Sequence, residues 1–228
     1  MIRAIFITCA ICLTSICFAG SGAEVHMQKM LDKYESLSSY EDSGSSITKF
    51  THIEGNSFSE ELRFKTVYEE NETLYFEWLE MPSEFEKQLR MPPGYKDQDL
   101  SKPKRNTILK NKNGIKVKYF FKEKEETINS LRKALSGATG VSSGLAWMVP
   151  RYLSPELPCR PDFNAKNIII LSETSDIVSI ELTFDSGDFE IFHIDKNTYL
   201  LNKYEENSKL NDGTSVYQVV EYSVVSYK

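Results

Sequence analysis

The sequence lacks the basic stripe that marks a nucleic-acid-binding protein. Its 27 basic and 33 acidic residues give a formal net charge of −6 and are interspersed along the 228 residues. Nucleic-acid binding requires clustered lysine and arginine side chains that neutralise phosphates. The charge distribution therefore excludes nucleic acid as an expected partner.

Cysteine is scarce and poorly placed for a structural role. Three of the four cysteines lie within the first 23 residues, at Cys9, Cys12 and Cys17. The remaining Cys159 has no partner in the rest of the chain, so the sequence predicts no disulfide framework. One cysteine and three histidines without ligand spacing also predict no metal site, and no cofactor motif is present.

The only long apolar run is at the N-terminus. Residues 4–18 are mostly apolar, follow Arg3 and precede the small residues Ala19 and Ala23. Because a membrane-spanning helix needs about 20 apolar residues, this run favours a removed signal peptide over residues 1–23. A lipoprotein is the alternative, but the bulky Ile16 precedes Cys17 where a small residue is expected. We therefore predict a periplasmic or secreted protein with one domain over 24–228.

The hydrophobic pattern of that domain changes from a helical to a strand period. Residues 24–37 carry apolar side chains at helical spacing. The segments that follow alternate apolar and charged residues, and short turn signals such as Asn113-Gly114 separate them. We predict ten antiparallel strands, near 45–53, 57–69, 73–80, 105–112, 115–122, 167–173, 177–185, 188–194, 198–208 and 214–226.

Two segments interrupt this predicted meander. Residues 81–104 carry four prolines and predict a loop with a short helix at 83–90. Residues 124–135 predict a helix, followed by a glycine-rich stretch and a second helix over 145–153 that Pro150 shortens or kinks. The predicted fold is mainly β, of the α+β kind: one curved antiparallel sheet forming an open half-barrel, covered by the N-terminal helix and the central helical insertion.

A possible nucleophile motif lies in the glycine-rich stretch. Gly140-Val141-Ser142-Ser143-Gly144 matches G-x-S-x-G, and Asp162 or Asp176 and then His193 follow in hydrolase order. The motif requires a strand before the serine, whereas the preceding segment is predicted to be helical. A serine hydrolase using Ser142 is therefore the alternative to a non-enzymatic binding protein, and a protein-interaction module that uses the exposed sheet edge is a third possibility.

The strand faces and the insertion supply enough apolar side chains for either a filled core or a ligand cavity. Gly137, Gly140 and Gly144 provide backbone freedom for a hinge or lid between the two helices. The candidate cavity residues are Leu62, Phe64, Leu74, Phe76, Trp78, Val117, Tyr119, Trp147 and Met148.

The stretch LDKYESLSSYEDSGS at 31–45 resembles the start of LolA-like exported proteins, in which a Tyr-x-x-Leu-x-Ser-Tyr-x-Asp-x-Gly pattern joins the first helix to the first strand. The matching residues are Tyr34, Leu37, Ser39, Tyr40, Asp42 and Gly44. The pattern places Tyr34 and Leu37 where the helix seats on the sheet, and Asp42 and Gly44 in the turn into the first strand. Similar order continues through LRFKTVYEENETLYFEW, NTILKNKNGIKVKYF, SGLAWMVPRYL and FHIDKNTYLLNKYEE.

This resemblance implies a half-barrel whose mouth is plugged by helices. It implies a non-enzymatic carrier or sensor whose ligand is a lipid or a lipoprotein acyl chain, without a cofactor. A membrane-associated protein is the partner that such a role implies, and the chain itself is expected to be a monomer.

Overall fold

The computed structural model describes residues 22–82, 102–154, 157 and 165–228. Three predictions made from the sequence concern residues outside these ranges: most of the predicted signal peptide, the helix predicted at 83–90, and Cys159 with Asp162. The described helices are α1 (Gly22–Glu35), α2 (Leu131–Thr139) and α3 (Met148–Leu153), with a 3-10 turn at Leu145–Trp147.

Eleven antiparallel strands form one sheet. They are β1 (Ser39–Thr51), β2 (Ser57–Glu69), β3 (Thr73–Glu80), β4 (Lys104–Asn111), β5 (Gly114–Lys118), β6 (Glu126–Ile128), β7 (Asn167–Glu173), β8 (Ile177–Thr183), β9 (Phe189–Asp195), β10 (Leu201–Lys209) and β11 (Ser215–Tyr227). Their spatial order is β6-β5-β4-β3-β2-β1-β11-β10-β9-β8-β7. Consecutive strands are neighbours except β6 and β7, which form the two edges, and β1 pairs with β11 at the centre. The sheet remains open between its edge strands β6 and β7, as the predicted half-barrel requires.

Alternation within the strands creates one inner face and one outer face. In β2, for example, Leu62 and Phe64 are buried while Glu61 and Arg63 are exposed. The inner face packs against α1, α2, α3 and the 3-10 turn in one hydrophobic core. The mainly β fold with two helical covers is therefore confirmed.

Several sequence-based boundaries were wrong, and the strand predicted at 115–122 ends already at Lys118 as β5. The helix predicted over 124–135 begins only at Leu131, because Ser130 caps it by accepting a hydrogen bond from the Lys133 N–H (3.2 Å). Residues 126–128 instead form β6, whose β-branched Thr127 and Ile128 pair with β5.

The first strand also begins earlier than predicted, at Ser39 instead of 45. Asp42 and Gly44 consequently lie inside β1, not in a turn before it. A Cβ added to Gly44 would collide with the Glu221 carbonyl oxygen and with the Phe64 ring. The glycine of the quoted pattern is thus needed for close packing within the sheet.

Candidate functional site

The candidate site is the part of the inner face that lies under α2, the 3-10 turn and α3. Neighbouring rings form a row across β2, β3 and the end of β5: Phe64 and Phe76 are 6.5 Å apart, Phe76 and Trp78 5.5 Å, and Trp78 and Tyr119 6.4 Å. We call Phe64, Phe76, Trp78 and Tyr119 the aromatic row. Each of the four is at most 6% exposed.

The structure brings the predicted cavity residues together. Leu62, Leu74 and Val117 are buried beside the aromatic row, and Met148 is buried in the same cluster. Trp147 is partly buried and packs against that cluster. In this arrangement the residues form a packed core between sheet and cover, so any ligand would have to displace part of the cover.

We define the cover as residues 131–153, which contact the sheet mainly through apolar side chains. Its buried residues include Leu131, Ala134, Leu135, Leu145 and Val149. Two hydrogen bonds link it to β11: Gln218 Nε2 donates to the Ser143 carbonyl oxygen (2.8 Å), and Tyr222 Oη donates to Met148 Sδ (3.5 Å).

The three predicted hinge glycines differ in environment. Gly137 lies within α2, where an added Cβ would be 2.9 Å from Tyr119 Oη. Gly140 has ordinary helical angles (φ −63°), whereas Gly144 has φ +84° and Ser143 has φ +47°. The left-handed backbone in this part of the cover is therefore concentrated at 143–144, between α2 and the 3-10 turn.

A cleft opens where the cover meets the ends of β2 and β3. Its volume is about 200 Å³, and it is bounded by Leu62, Met81, Gly140 and Val141, with Glu60, Glu61 and Glu80 at its rim. Leu62 belongs both to this cleft and to the buried core. The cleft thus marks a seam between sheet and cover that reaches the candidate site.

Ser142 lies in a different environment from an exposed nucleophile. It is fully buried, its Oγ accepts a hydrogen bond from the Ala146 N–H (3.1 Å), and it donates to the Thr139 carbonyl oxygen (3.4 Å). It follows α2, not a strand. These bonds describe a serine that stabilises the turn after a helix.

His193 lies on the outer face of the sheet, away from Ser142. Its Nδ1 is 2.9 Å from Ser179 Oγ and its Nε2 is 3.0 Å from Glu205 Oε1. Burial alone raises the pKa of Glu205, but hydrogen bonds from Lys203, Tyr217 and His193 outweigh it and lower the pKa to about 2. Because the sheet separates Ser142 from His193, the structure does not assemble the predicted Ser142 triad.

Sequence reasoning missed a polar cluster on the inner face beneath α1. Tyr40 Oη donates to Asp42 Oδ2 (2.8 Å), and Asp42 Oδ1 accepts from the Thr66 N–H (3.1 Å). Burial raises the pKa of Asp42 to about 6, even though these hydrogen bonds lower it. Tyr34 accepts a hydrogen bond from the Leu201 N–H (3.2 Å). The alternation of Tyr40 and Asp42 in one strand was the available signal for this cluster.

Within the described residues, no group of three or more potential metal ligands is present. None of the helices in the described part of the chain is long and apolar enough to span a membrane.

The sequence matches no known family pattern and no curated protein. Among solved structures, MucB in complex with MucA from Pseudomonas aeruginosa is similar with a TM-score of 0.42 and 10% identity, over 90% of this chain and 58% of that chain. This chain therefore spans little more than half of that MucB structure. A domain assigned to an outer-membrane lipoprotein-sorting protein of Vibrio parahaemolyticus has a TM-score of 0.32 and 11% identity, over 90% of this chain and 92% of that chain.

A LolA superfamily protein from Nitrosomonas europaea has a TM-score of 0.29 and 12% identity, over 89% of this chain and 92% of that chain. LolA-like proteins are thus among the solved structures that this chain resembles, as the sequence indicated. Because these TM-scores are below 0.5, the similarities give no information about the ligand or the activity of this chain.

Proposed function

We propose that this protein is an exported, non-enzymatic binding protein that holds the acyl chain of a lipid or lipoprotein between the inner face of the sheet and the cover, as a carrier or sensor. The observation that carries the proposal is the cleft at Leu62, Gly140 and Val141, because Leu62 also belongs to the buried core that contains the aromatic row. The apolar run at residues 4–18 supports export.

The chemistry of the candidate site fits an apolar chain better than a polar ligand. Moving one methylene group out of water is worth about 0.8 kcal/mol, so a few methylene groups on the aromatic row would bind appreciably. Such contacts are non-directional and accept chains of different length. The acyl chain would enter between Leu62 and Val141.

Exchange of such a ligand requires the cover to move. The contacts between cover and sheet are mostly apolar, and an incoming acyl chain would replace them with contacts of the same kind. The left-handed residues Ser143 and Gly144 divide the cover into two parts. We assign the lid role to residues 131–143, which move about this point.

Binding is tested by native mass spectrometry of gently purified protein and by titration with a fluorophore-labelled palmitate. Leu62→Asn places an amide at the inner end of the cleft and is expected to raise the Kd roughly tenfold or more. Ile47→Asn makes the same kind of change on the outer face, where Ile47 is 53% exposed, and should leave the Kd unchanged. Absence of both co-purified lipid and palmitate binding would contradict the proposal.

Movement of the cover is tested by cross-linking across the cleft. Glu60→Cys and Val141→Cys, in a Cys159→Ser background, are joined by a short bismaleimide, because both positions line the cleft. The cross-linked protein should release bound palmitate much more slowly than the same variant treated with a monofunctional maleimide. Equal release rates would exclude the lid.

The non-enzymatic role is tested with a fluorophosphonate probe, which labels an activated serine. Labelling that is lost in Ser142→Ala would exclude a non-enzymatic role.

A further inference from the structure

A second concave site lies between β10 and β11, at the end of the sheet under α1. The ladder between these strands ends at Lys203 and Glu221, whereas β11 continues along β1 as far as Tyr227. Residues 222–227 of β11 therefore have β1 on one side and, among the described residues, no strand on the other. We call the opening between 198–202 and 222–227 the fork.

The fork is large enough for a stretch of extended peptide. Its volume is about 500 Å³, and its walls include Leu200, Asn202, Val224, Val225 and Tyr227. Three of these side chains are unusually exposed for apolar residues: Val224 is 36%, Val225 62% and Tyr227 43% exposed. An extended segment lying in the fork would cover them.

The backbone of β11 presents hydrogen-bonding groups to the fork. Lys228 and Ser39 exchange both backbone hydrogen bonds, N–H of Lys228 to O of Ser39 (3.0 Å) and N–H of Ser39 to O of Lys228 (3.3 Å). Adjacent residues of a strand direct these groups to opposite sides, so the N–H and C=O of Tyr227 point away from β1 and into the fork. A strand added there would pair with them.

The inner end of the fork is closed by α1. Tyr34 Oη accepts the hydrogen bond of the Leu201 N–H, a group that a neighbouring strand would otherwise bind. Tyr34 is 1% exposed and Leu201 is equally buried. The fork is thus a surface groove whose inner end is closed by α1.

Two lysines of α1 give the fork a positive rim. Lys33 Nζ lies 4.8 Å from the centre of the Tyr227 ring, on the β11 side. Lys29 Nζ is 3.1 Å from Tyr199 Oη, on the β10 side. The acid in the lining, Asp195, is already bound by the N–H groups of Asn197 and Thr198, both at 2.8 Å.

From this arrangement we infer that the fork binds an acidic, extended segment of a partner protein by strand addition to β11. The unpaired backbone at Tyr227 provides main-chain pairing, the exposed valines provide apolar contact, and Lys29 and Lys33 select carboxylates. The positive rim is a local feature of a chain whose net charge is −6, so it favours acidic partners at this one position.

The probe is a synthetic peptide of alternating valine and glutamate, labelled for fluorescence anisotropy, with a matched peptide carrying lysine in place of glutamate. We expect the full domain to bind the acidic peptide and not the basic one. Lys29→Gln with Lys33→Gln should raise the Kd roughly tenfold, since two charge pairs at a partly exposed rim are lost. Lys112→Gln with Lys118→Gln changes two exposed lysines of another region and should have no effect.

Strand addition is tested separately with an acidic peptide N-methylated at alternate residues, which keeps its charge and loses its main-chain donors. This peptide should not bind, and the unmethylated peptide should slow hydrogen exchange of the Tyr227 amide. Equal binding of both peptides would overturn strand addition. Binding to phosphatidylglycerol vesicles that is lost in the Lys29 and Lys33 variant, without peptide binding, would overturn the proposal by assigning the lysines to a lipid surface.

Discussion

The two halves of the inner face have different chemistry. The half formed by β2 to β5 contains the aromatic row, whose contacts with the cover are predominantly apolar. The half at α1 contains Tyr34 of α1 with Tyr40, Asp42 and Tyr222 of the sheet, which we call the tyrosine cluster. Tyr40 hydrogen-bonds to Asp42, and Tyr34 and Asp42 accept hydrogen bonds from backbone N–H groups. The Phe64 and Tyr222 rings, 5.4 Å apart, connect the halves.

This difference concerns how each helical element is held on the sheet. Hydrogen bonds in a buried site require defined geometry, and leaving one of their groups unpaired costs about 1–3 kcal/mol. Apolar contacts can be exchanged for contacts with a ligand at little net cost. The tyrosine cluster joins α1 to β10 through the Tyr34–Leu201 hydrogen bond, whereas the proposed binding role requires the cover to give up its two hydrogen bonds to β11 and its apolar contacts with the sheet.

The largest expected effect is in the aromatic half. Phe76 is 1% exposed and lies between Phe64 and Trp78, so Phe76→Ala should lower the free energy of unfolding by about 3–5 kcal/mol. Urea denaturation followed by tryptophan fluorescence measures this change. Phe121→Ala removes the same side chain where it is 37% exposed and should cost much less. Equal losses would mean that the aromatic row is not tightly packed.

The tyrosine cluster should make stability depend on pH through Asp42. Burial raises the pKa of Asp42 from 3.8 to about 6 in the folded protein, so the folded state binds the proton more tightly than the unfolded state. The resulting stabilisation is complete below pH 3.8 and is lost as the pH rises through about 6. Its size is roughly 3 kcal/mol.

The Asp42→Asn variant removes this titration. The difference in unfolding free energy between the variant and the parent protein should therefore change by roughly 3 kcal/mol between pH 3.8 and pH 7, in favour of the variant at high pH. Because all other acids are unchanged, this difference isolates Asp42. Asp185→Asn, at a side chain that is 92% exposed, should show no such change. A flat difference for Asp42→Asn would contradict the raised pKa.

Within the tyrosine cluster, the hydroxyl of Tyr34 should contribute more to the free energy of unfolding than the hydroxyl of Tyr222. Tyr34→Phe leaves the buried N–H of Leu201 without its acceptor and should cost about 1–3 kcal/mol. Tyr222→Phe removes only a 3.5 Å contact to the Met148 sulfur and should cost under about 1 kcal/mol. Thermal or urea unfolding of both variants compares them directly. If Tyr222→Phe were the more damaging change, the cover and not α1 would be the better anchored element.

Strand period and turn chemistry made most of the sheet predictable. The predicted strands at 57–69 and 73–80 agree with β2 and β3 to the residue, since apolar side chains recur at every second position through most of both segments. The prediction was wrong at 126–128, because three residues are too few for a period and the helix propensity of the flanking sequence dominated. Local signals decide long elements better than short ones.

The candidate site was predictable in its composition but not in its pairing. Alternation identified Phe64, Phe76 and Trp78 as one apolar face, and the structure places them side by side. Some contacts join residues that are far apart in sequence, such as Gln218 with Ser143 and Tyr34 with Leu201. They form because β1 pairs with β11 at the centre of the sheet. The fork has no local signature either, because it arises where one ladder ends before another.

The smallest expected effect is a gain in stability, and it concerns Thr48 on β1, the strand between the two halves of the inner face. Thr48 is 2% exposed, and its Oγ1 is a buried polar atom with no hydrogen-bond partner among the described residues. Thr48→Val replaces the hydroxyl with a methyl group of similar shape, so it should raise the free energy of unfolding by up to about 1 kcal/mol. Ser46→Val is the informative contrast, because Ser46 Oγ accepts a hydrogen bond from Gln218 Nε2 (2.9 Å) and its loss should destabilise the protein. Stabilisation by both changes would show that the hydrogen bond between Ser46 and Gln218 does not contribute to the stability of the folded protein.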